Sequence, residues 1–121
     1  MKVKIDTKEK MHVITVEEEV LHANMTEEIK NVLRNVLSAP VKNAVVNLKK
    51  VQQMDLPIAE AFVSAQKSFT EAAHSLVFCN IQPAVFDVLD KSDLIEGMNV
   101  TPTESEASDI VQMEEIEREL L

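Results

Sequence analysis

One glycine stands in 121 residues, and that scarcity removes whole classes of function. A GxxxxGK phosphate loop or a GxGxxG dinucleotide turn needs several glycines, so nucleotide binding by those routes is excluded. Tryptophan and tyrosine are absent and only four phenylalanines are present. The core is therefore expected to be built chiefly from Val, Ile, Leu, Met and Ala. Cys79 is the sole cysteine, so no internal disulfide can form. No apolar run approaches the ~20 residues a membrane span needs. The opening MKVKIDTKEK alternates charged and apolar residues and has no signal-peptide apolar core. The expectation is a soluble, cytoplasmic chain. Bases are also scarce, 12 against 21 acids, for a formal net charge of −9. Such a surface repels nucleic-acid phosphates and anionic membranes, so neither is expected as a partner.

Catalytic signatures are equally thin. His12, His22 and His74 fall in three separate elements, with no second His or Cys at ligand spacing. A structural histidine fits each better than a metal ligand. There is no GxSxG elbow. Cys79 lies in the apolar run LVFC, with no adjacent Lys, Arg or His to lower its pKa. It reads as a small buried hydrophobe, and a thiol enzyme centred on it is the minor alternative. No cofactor, no metal and no enzymatic activity are expected.

The chain divides into regular elements. Val3-Ile5-Thr7 alternate with Lys and Asp, and a second alternating run spans His12 to Val16, which reads as a β-hairpin. Asn24, with Glu27 three residues on, resembles a loose capping box. Ile29, Val32, Leu33, Val36 and Leu37 then follow at helical spacing. That helix is predicted over about Met25 to Ser38, and Pro40 forbids its extension. Ala44 to Leu48 is short and apolar, as a strand covered on both faces should be. A helix from Leu56 to about Ala73 carries Ile58, Ala61, Phe62, Ala65 and Phe69 on one face. Ser75 to Ile81 is a further strand. Pro83 opens a helix through Val85, Phe86, Val88 and Leu89. Gly97 is expected to permit a turn before a brief strand, Met98 to Thr101. Thr103-Glu104-Ser105-Glu106 is a clean capping box for a last helix. Its apolar face is expected to hold Ala107, Ile110, Val111, Met113, Ile116 and Leu120. The order is β-β-α-β-α-β-α-β-α, which predicts a single α/β domain over residues 1–121, with a mixed sheet flanked by helices.

From Thr103 to Leu121 there are seven acids and one base, a net of −6. A solvated outer face explains this, and a docking surface for a basic partner is the alternative. The stretch QQMDLPIAEAF, Gln52 to Phe62, sits at a strand-to-helix junction. Asp55 is placed to cap the helix and Pro57 falls in its first turn.

The order of features resembles the STAS domain family, named for sulfate transporters and anti-sigma factor antagonists. An apolar strand, Ala44 to Leu48, leads through Val51 to Met54-Asp55 and a helix. The family there reads an apolar residue, Asp, two Ser or Thr, then Gly. Asn80-Ile81-Gln82-Pro83 matches a turn into a helix. Ser92-Asp93-Leu94 stands where the family often has Thr-Gly-Leu. Pro102 to Ala107 looks like the start of the family's final helix. The resemblance covers about Val13 to Leu121. It implies a STAS-like sheet with flanking helices and a regulatory, protein-binding role in bacterial partner switching and transcription regulation. It also implies an anti-sigma factor kinase as the partner. In that family a phosphate on a Ser at this helix start ends binding, through the charge of about −1.5 to −2 that it adds. Here Leu56 and Pro57 occupy the two hydroxyl positions and Ile58 replaces the glycine. The switch position lacks its switch. Partner binding is expected through Met54, Asp55, Leu56, Pro57 and Ile58, with Asn80 and Gln82 beside them. The alternative is a structural or scaffold subunit, a homo-oligomer joined through the N-terminal hairpin or sheet edge.

Overall fold

The computed structural model describes residues 1–121. Strands β1 (Val3–Thr7) and β2 (His12–Val16) form the expected hairpin, antiparallel with Val3 opposite Val16 and Thr7 opposite His12. Its turn closes through Lys8 N–H donating to Met11 O at 2.8 Å. The His12 ring fixes the hairpin laterally, with Thr7 Oγ1 and Val41 O each 2.8 Å from its nitrogens.

Beyond the hairpin the chain alternates. Strand β4 (Ala44–Asn47) pairs parallel with β2, β6 (Leu76–Cys79) with β4, and β7 (Val100–Thr101) with β6. The sheet order is β1-β2-β4-β6-β7. Each crossover steps one strand in the same direction. Right-handed crossovers then place helices α1 (Thr26–Leu37), α2 (Leu56–Glu71) and α3 (Pro83–Lys91) on one face. On that face Ile14, Val46 and Phe78 align across the strands and pack with Ile29, Leu33, Ile58, Phe62 and Val85. Phe62 and Phe78 meet with ring centroids 4.9 Å apart and tilted by 48°, an arrangement that adds about 0.5–1.5 kcal/mol beyond their area.

The opposite face belongs to one helix, α4 (Glu104–Glu119), packed on Val13, Val45, Val77 and Cys79 through Ala107 and Val111. Polar contacts fix it at both ends. The α4-facing residues of β4 and its leading position are Asn43, Val45 and Asn47. Asn47 Nδ2 donates to Glu104 Oε1 at 3.0 Å, and Asn43 Nδ2 donates to Glu115 Oε1 at 2.7 Å. The two asparagines lie about 13 Å apart along a strand and the two glutamates about 16 Å apart along a helix, so the spans match within side-chain reach. Asn43 Oδ1 also accepts from Ser75 N–H at 2.8 Å. Ser75 Oγ donates to Glu114 Oε1 at 2.6 Å, and Arg118 bonds Ser75 Oγ at 3.1 Å and Glu115 Oε1 at 2.9 Å.

Several expectations are corrected. A second ladder, β3 (Val20–Leu21) with β5 (Gln53–Met54), joins the segments leading into α1 and α2. Two-residue strands carry no readable alternation. Asn24 is not a cap: it lies inside a one-turn 3₁₀ helix, Ala23–Met25, and Met25 precedes α1 without a side-chain bond. Met113, Ile116 and Leu120 are exposed, so the apolar face of α4 is narrower than expected. Helix α3 buries Val85 and Leu89 and leaves Phe86 exposed. Gly97 lies in a 3₁₀ turn and does not take a left-handed φ. It is small because a Cβ there would sit 3.0 Å from Val63 Cγ1. The left-handed positions fall instead on Ala73, Asn80 and Asp93. Ala73 and Asp93 end α2 and α3 in Schellman motifs, with His74 N–H on Phe69 O and Leu94 N–H on Leu89 O, each at 2.9 Å.

Candidate partner-binding site

The parallel strands β2, β4, β6 and β7 all end at one edge of the sheet, and the starts of α2, α3 and α4 gather there. The carboxyl ends of parallel strands are where α/β folds place their recognition surfaces. The loop into α2 is braced rather than free. Gln52 and Gln53 N–H groups both donate to Glu19 O, at 2.7 and 3.1 Å. Lys50 Nζ bonds Glu17 Oε2 at 3.1 Å, which holds that carboxyl below its usual range. Gln82 Nε2 donates to Lys49 O at 2.5 Å, tying the start of α3 to the loop before α2.

Asp55 has the extended backbone of an N-cap, but its carboxylate does not cap its own helix. Asp55 Oδ2 instead accepts from Ala23 N–H at 2.8 Å, and Asp55 N–H donates to Leu21 O at 2.9 Å. The residue therefore staples α2 to the segment entering α1. This corrects the expectation of a capping bond. A residue 32 positions away outcompeted the local donors because β3 and β5 bring it alongside.

The predicted residues separate by depth. Met54 and Ile58 are buried in the core and anchor the junction from below. Asp55, Leu56 and Pro57 are exposed, with Leu56 showing 47% of its surface. The surface at this helix start is thus an acidic and two apolar side chains on a rigid step. Gln82 is half-buried at the neighbouring helix start. Asn80 is half-buried farther across, between β6 and β7, with its N–H on Pro102 O at 3.3 Å. Its Oδ1 is buried without a hydrogen-bond partner. Phe86, exposed in the first turns of α3, was not singled out from the sequence. Its spacing gave a signal, since Val85 and Leu89 already fill the i, i+4 core positions.

The helix start is poorly made for an anion. Pro57 has no N–H, and Ile58 N–H is engaged by Asp55 O at 3.1 Å. Of the first helical turn's N–H groups, that of Leu56 remains. A phosphate-binding helix start normally offers several. Cys79 offers no nucleophile. It is fully buried, and burial first, then Glu104, pushes its thiol up to about 12. No group of three His, Cys, Asp or Glu side chains is arranged to hold a metal ion. No helix is long and apolar enough to cross a membrane.

A five-stranded mixed sheet with three helices on one face and a terminal helix on the other defines a small α/β domain whose exposed helix starts share one edge. The chain belongs to the STAS domain family, whose sequence profile matches residues 2–107. Among solved structures it is similar to SpoIIAA, an anti-sigma factor antagonist of Bacillus, in its unphosphorylated form. The two share 20% identity over 92% of this chain and 96% of that one, at a TM-score of 0.73. An anti-sigma factor antagonist from Mycobacterium paratuberculosis aligns at a TM-score of 0.79 with 12% identity, over 92% of this chain and 93% of that one. A variant of RsbS from Moorella thermoacetica aligns at 0.75 with 18% identity, over 93% and 96%. At these identities the likeness is one of fold. No curated protein matches the chain in sequence.

Proposed function

We propose that this protein is a non-catalytic regulatory module that binds a protein partner through Asp55, Leu56 and Pro57 at the start of α2, and that phosphorylation at that position does not switch it. The carrying observation is the exposed Leu56-Pro57 step, held rigid by Met54 and Ile58 beneath it and by the Asp55 staple to Ala23. A preorganised apolar step loses little entropy on docking. No hydroxyl is available at the helix start to accept a phosphate. The structural likeness to anti-sigma factor antagonists suggests the partner class, an ATP-dependent anti-sigma factor kinase.

Titration calorimetry with such a kinase tests this reading. Leu56→Asp should weaken binding by about tenfold or more, since a carboxylate would enter an apolar contact. Its melting temperature should stay close to that of the wild type, because Leu56 is not part of the core. Equal affinities would overturn the assigned surface. Incorporation of labelled phosphate into residues 55–58 is impossible on this reading.

One observation favours self-association as a second reading. The outer edge of β1 has no partner strand and Ile5 is exposed on it. Sedimentation equilibrium showing a dimer that Ile5→Lys dissolves would establish it.

A further inference from the structure

The second half of helix α4 inverts the usual arrangement of a surface helix, which the first half keeps through Ala107 and Val111. Charged Glu114, Glu115 and Arg118 turn toward the strand starts, where they bond Ser75 and Asn43. Met113, Ile116 and Leu120 turn to solvent, with exposures of 58%, 58% and 81%. Their spacing of three and four residues makes one stripe along the helix. The polar network fixes the helix rotation, so this stripe cannot roll inward without breaking the bonds of Asn43 Nδ2 to Glu115 and of Ser75 Oγ to Glu114 and Arg118. The exposed charges on α4 are Glu106, Asp109, Glu117 and Glu119, all acidic, and the hairpin turn beside Ile116 adds Lys8, Glu9 and Lys10, which leaves the rim of the stripe acidic by a net of three. The one base of α4, Arg118, is committed to Glu115 and Ser75.

We propose that the Met113-Ile116-Leu120 stripe is a docking surface for a basic amphipathic helix of a protein partner. The apolar stripe supplies the contact and the four flanking acids select a cationic rim. A second copy of this chain would set acids against acids across the stripe, at a net charge of −9 on each copy. An anionic membrane would be repelled for the same reason. The stripe lies on the sheet face opposite α2, so it is separate from the Leu56 surface and independent of the reading given for it.

The test is fluorescence anisotropy with a fluorescein-labelled amphipathic helix of Leu and Lys, beside a counterpart with Glu in place of Lys. Wild type should bind the Lys peptide and not the Glu peptide, with affinity falling as salt rises. The Met113→Glu/Ile116→Glu double variant should bind at least about tenfold more weakly, although it is more acidic. Leu120→Glu, at the exposed helix end, should weaken binding in the same direction. Leu56→Asp should bind as wild type does. Thermal melts should be unchanged in all three, since each altered side chain is exposed. Equal or tighter binding by the double variant would overturn the proposal, because attraction would then be charge alone. Loss of binding in Leu56→Asp, or a wild-type dimer that the double variant dissolves, would overturn it as well.

Discussion

Asn43→Ala should be the most damaging small polar substitution in the domain. Asn43 is buried and serves three elements at once: the hairpin through Lys10 O, the start of β6 through Ser75 N–H, and α4 through Glu115. Lys10 is exposed, and Glu115 keeps Arg118, so those two groups recover much of their loss from solvent and neighbour. Ser75 N–H is buried and has nowhere else to turn. A stranded buried donor costs about 1–3 kcal/mol, and the lost carboxylate contact brings the expected total to about 2–3 kcal/mol. Against a typical stability of about 5–15 kcal/mol that is a large fraction. Urea unfolding should show the midpoint falling by about 1–2 M at an unchanged slope. Asn47→Ala should cost less, since Lys49 N–H lies in an exposed turn and Glu104 is only half-buried. The reverse ranking, or a loss below about 0.5 kcal/mol for Asn43→Ala, would refute the reasoning that the buried Ser75 donor sets the cost.

Acid should unfold the protein in two stages. Burial, then Arg118, holds His74 below 6.5, so the unfolded chain takes up its proton first and stability declines as pH falls from there until the folded His74 also protonates. Asn43, then Arg118, holds the Glu115 carboxyl below 4.5, so its contribution is complete above that value and lost as pH drops through the folded one. Denaturation curves against pH should lose the upper stage in His74→Gln and show a smaller lower stage in Glu115→Gln, with the Lys50-paired Glu17 still contributing there. Cys79 should resist thiol reagents in the native state and react in urea; rapid native reaction would contradict its burial. Gly97→Ala should cost about 1–3 kcal/mol by overpacking Val63, and Val63→Ala in the same chain should recover part of it, as melting temperatures would show.

Periodicity made the main sheet and all four helices legible, because β-branched runs such as Ala44-Val45-Val46 and helical spacings such as Ile29-Leu33-Val36 report burial directly. The β3–β5 ladder was hidden because pairing over two residues leaves no pattern. Asp55 showed the type of residue a cap needs, but its choice of Ala23 over its own helix is set by contacts across 32 residues, which no local rule contains. The depth of the candidate site divided in the same way. Met54 and Ile58 share an apolar character with Leu56, and it is the β5 pairing with Leu21 that sets Met54 inward and the helix phase that sets Ile58 inward. On α4 the sequence offered six apolar positions. Tertiary contacts from Asn43 and Ser75 chose which of them face the sheet.

The arrangement of one helix alone on its face has a consequence for how the domain opens. Helices α1, α2 and α3 are each spliced between two strands, so none can leave without breaking strand pairing. Helix α4 follows β7 and is not spliced between two of these strands; it lies alone on its face, on Val13, Val45, Val77 and Cys79. It can detach as a single cooperative unit while every ladder bond stays made. Amide exchange along α4 should therefore be faster and more uniform than along α2, at a free energy set largely by the Asn43–Glu115 and Asn47–Glu104 bonds and by the burial of Ala107 and Val111. Each such opening bares the strip Val13, Val45, Val77 and Cys79, the one moment at which the buried thiol meets water without global unfolding.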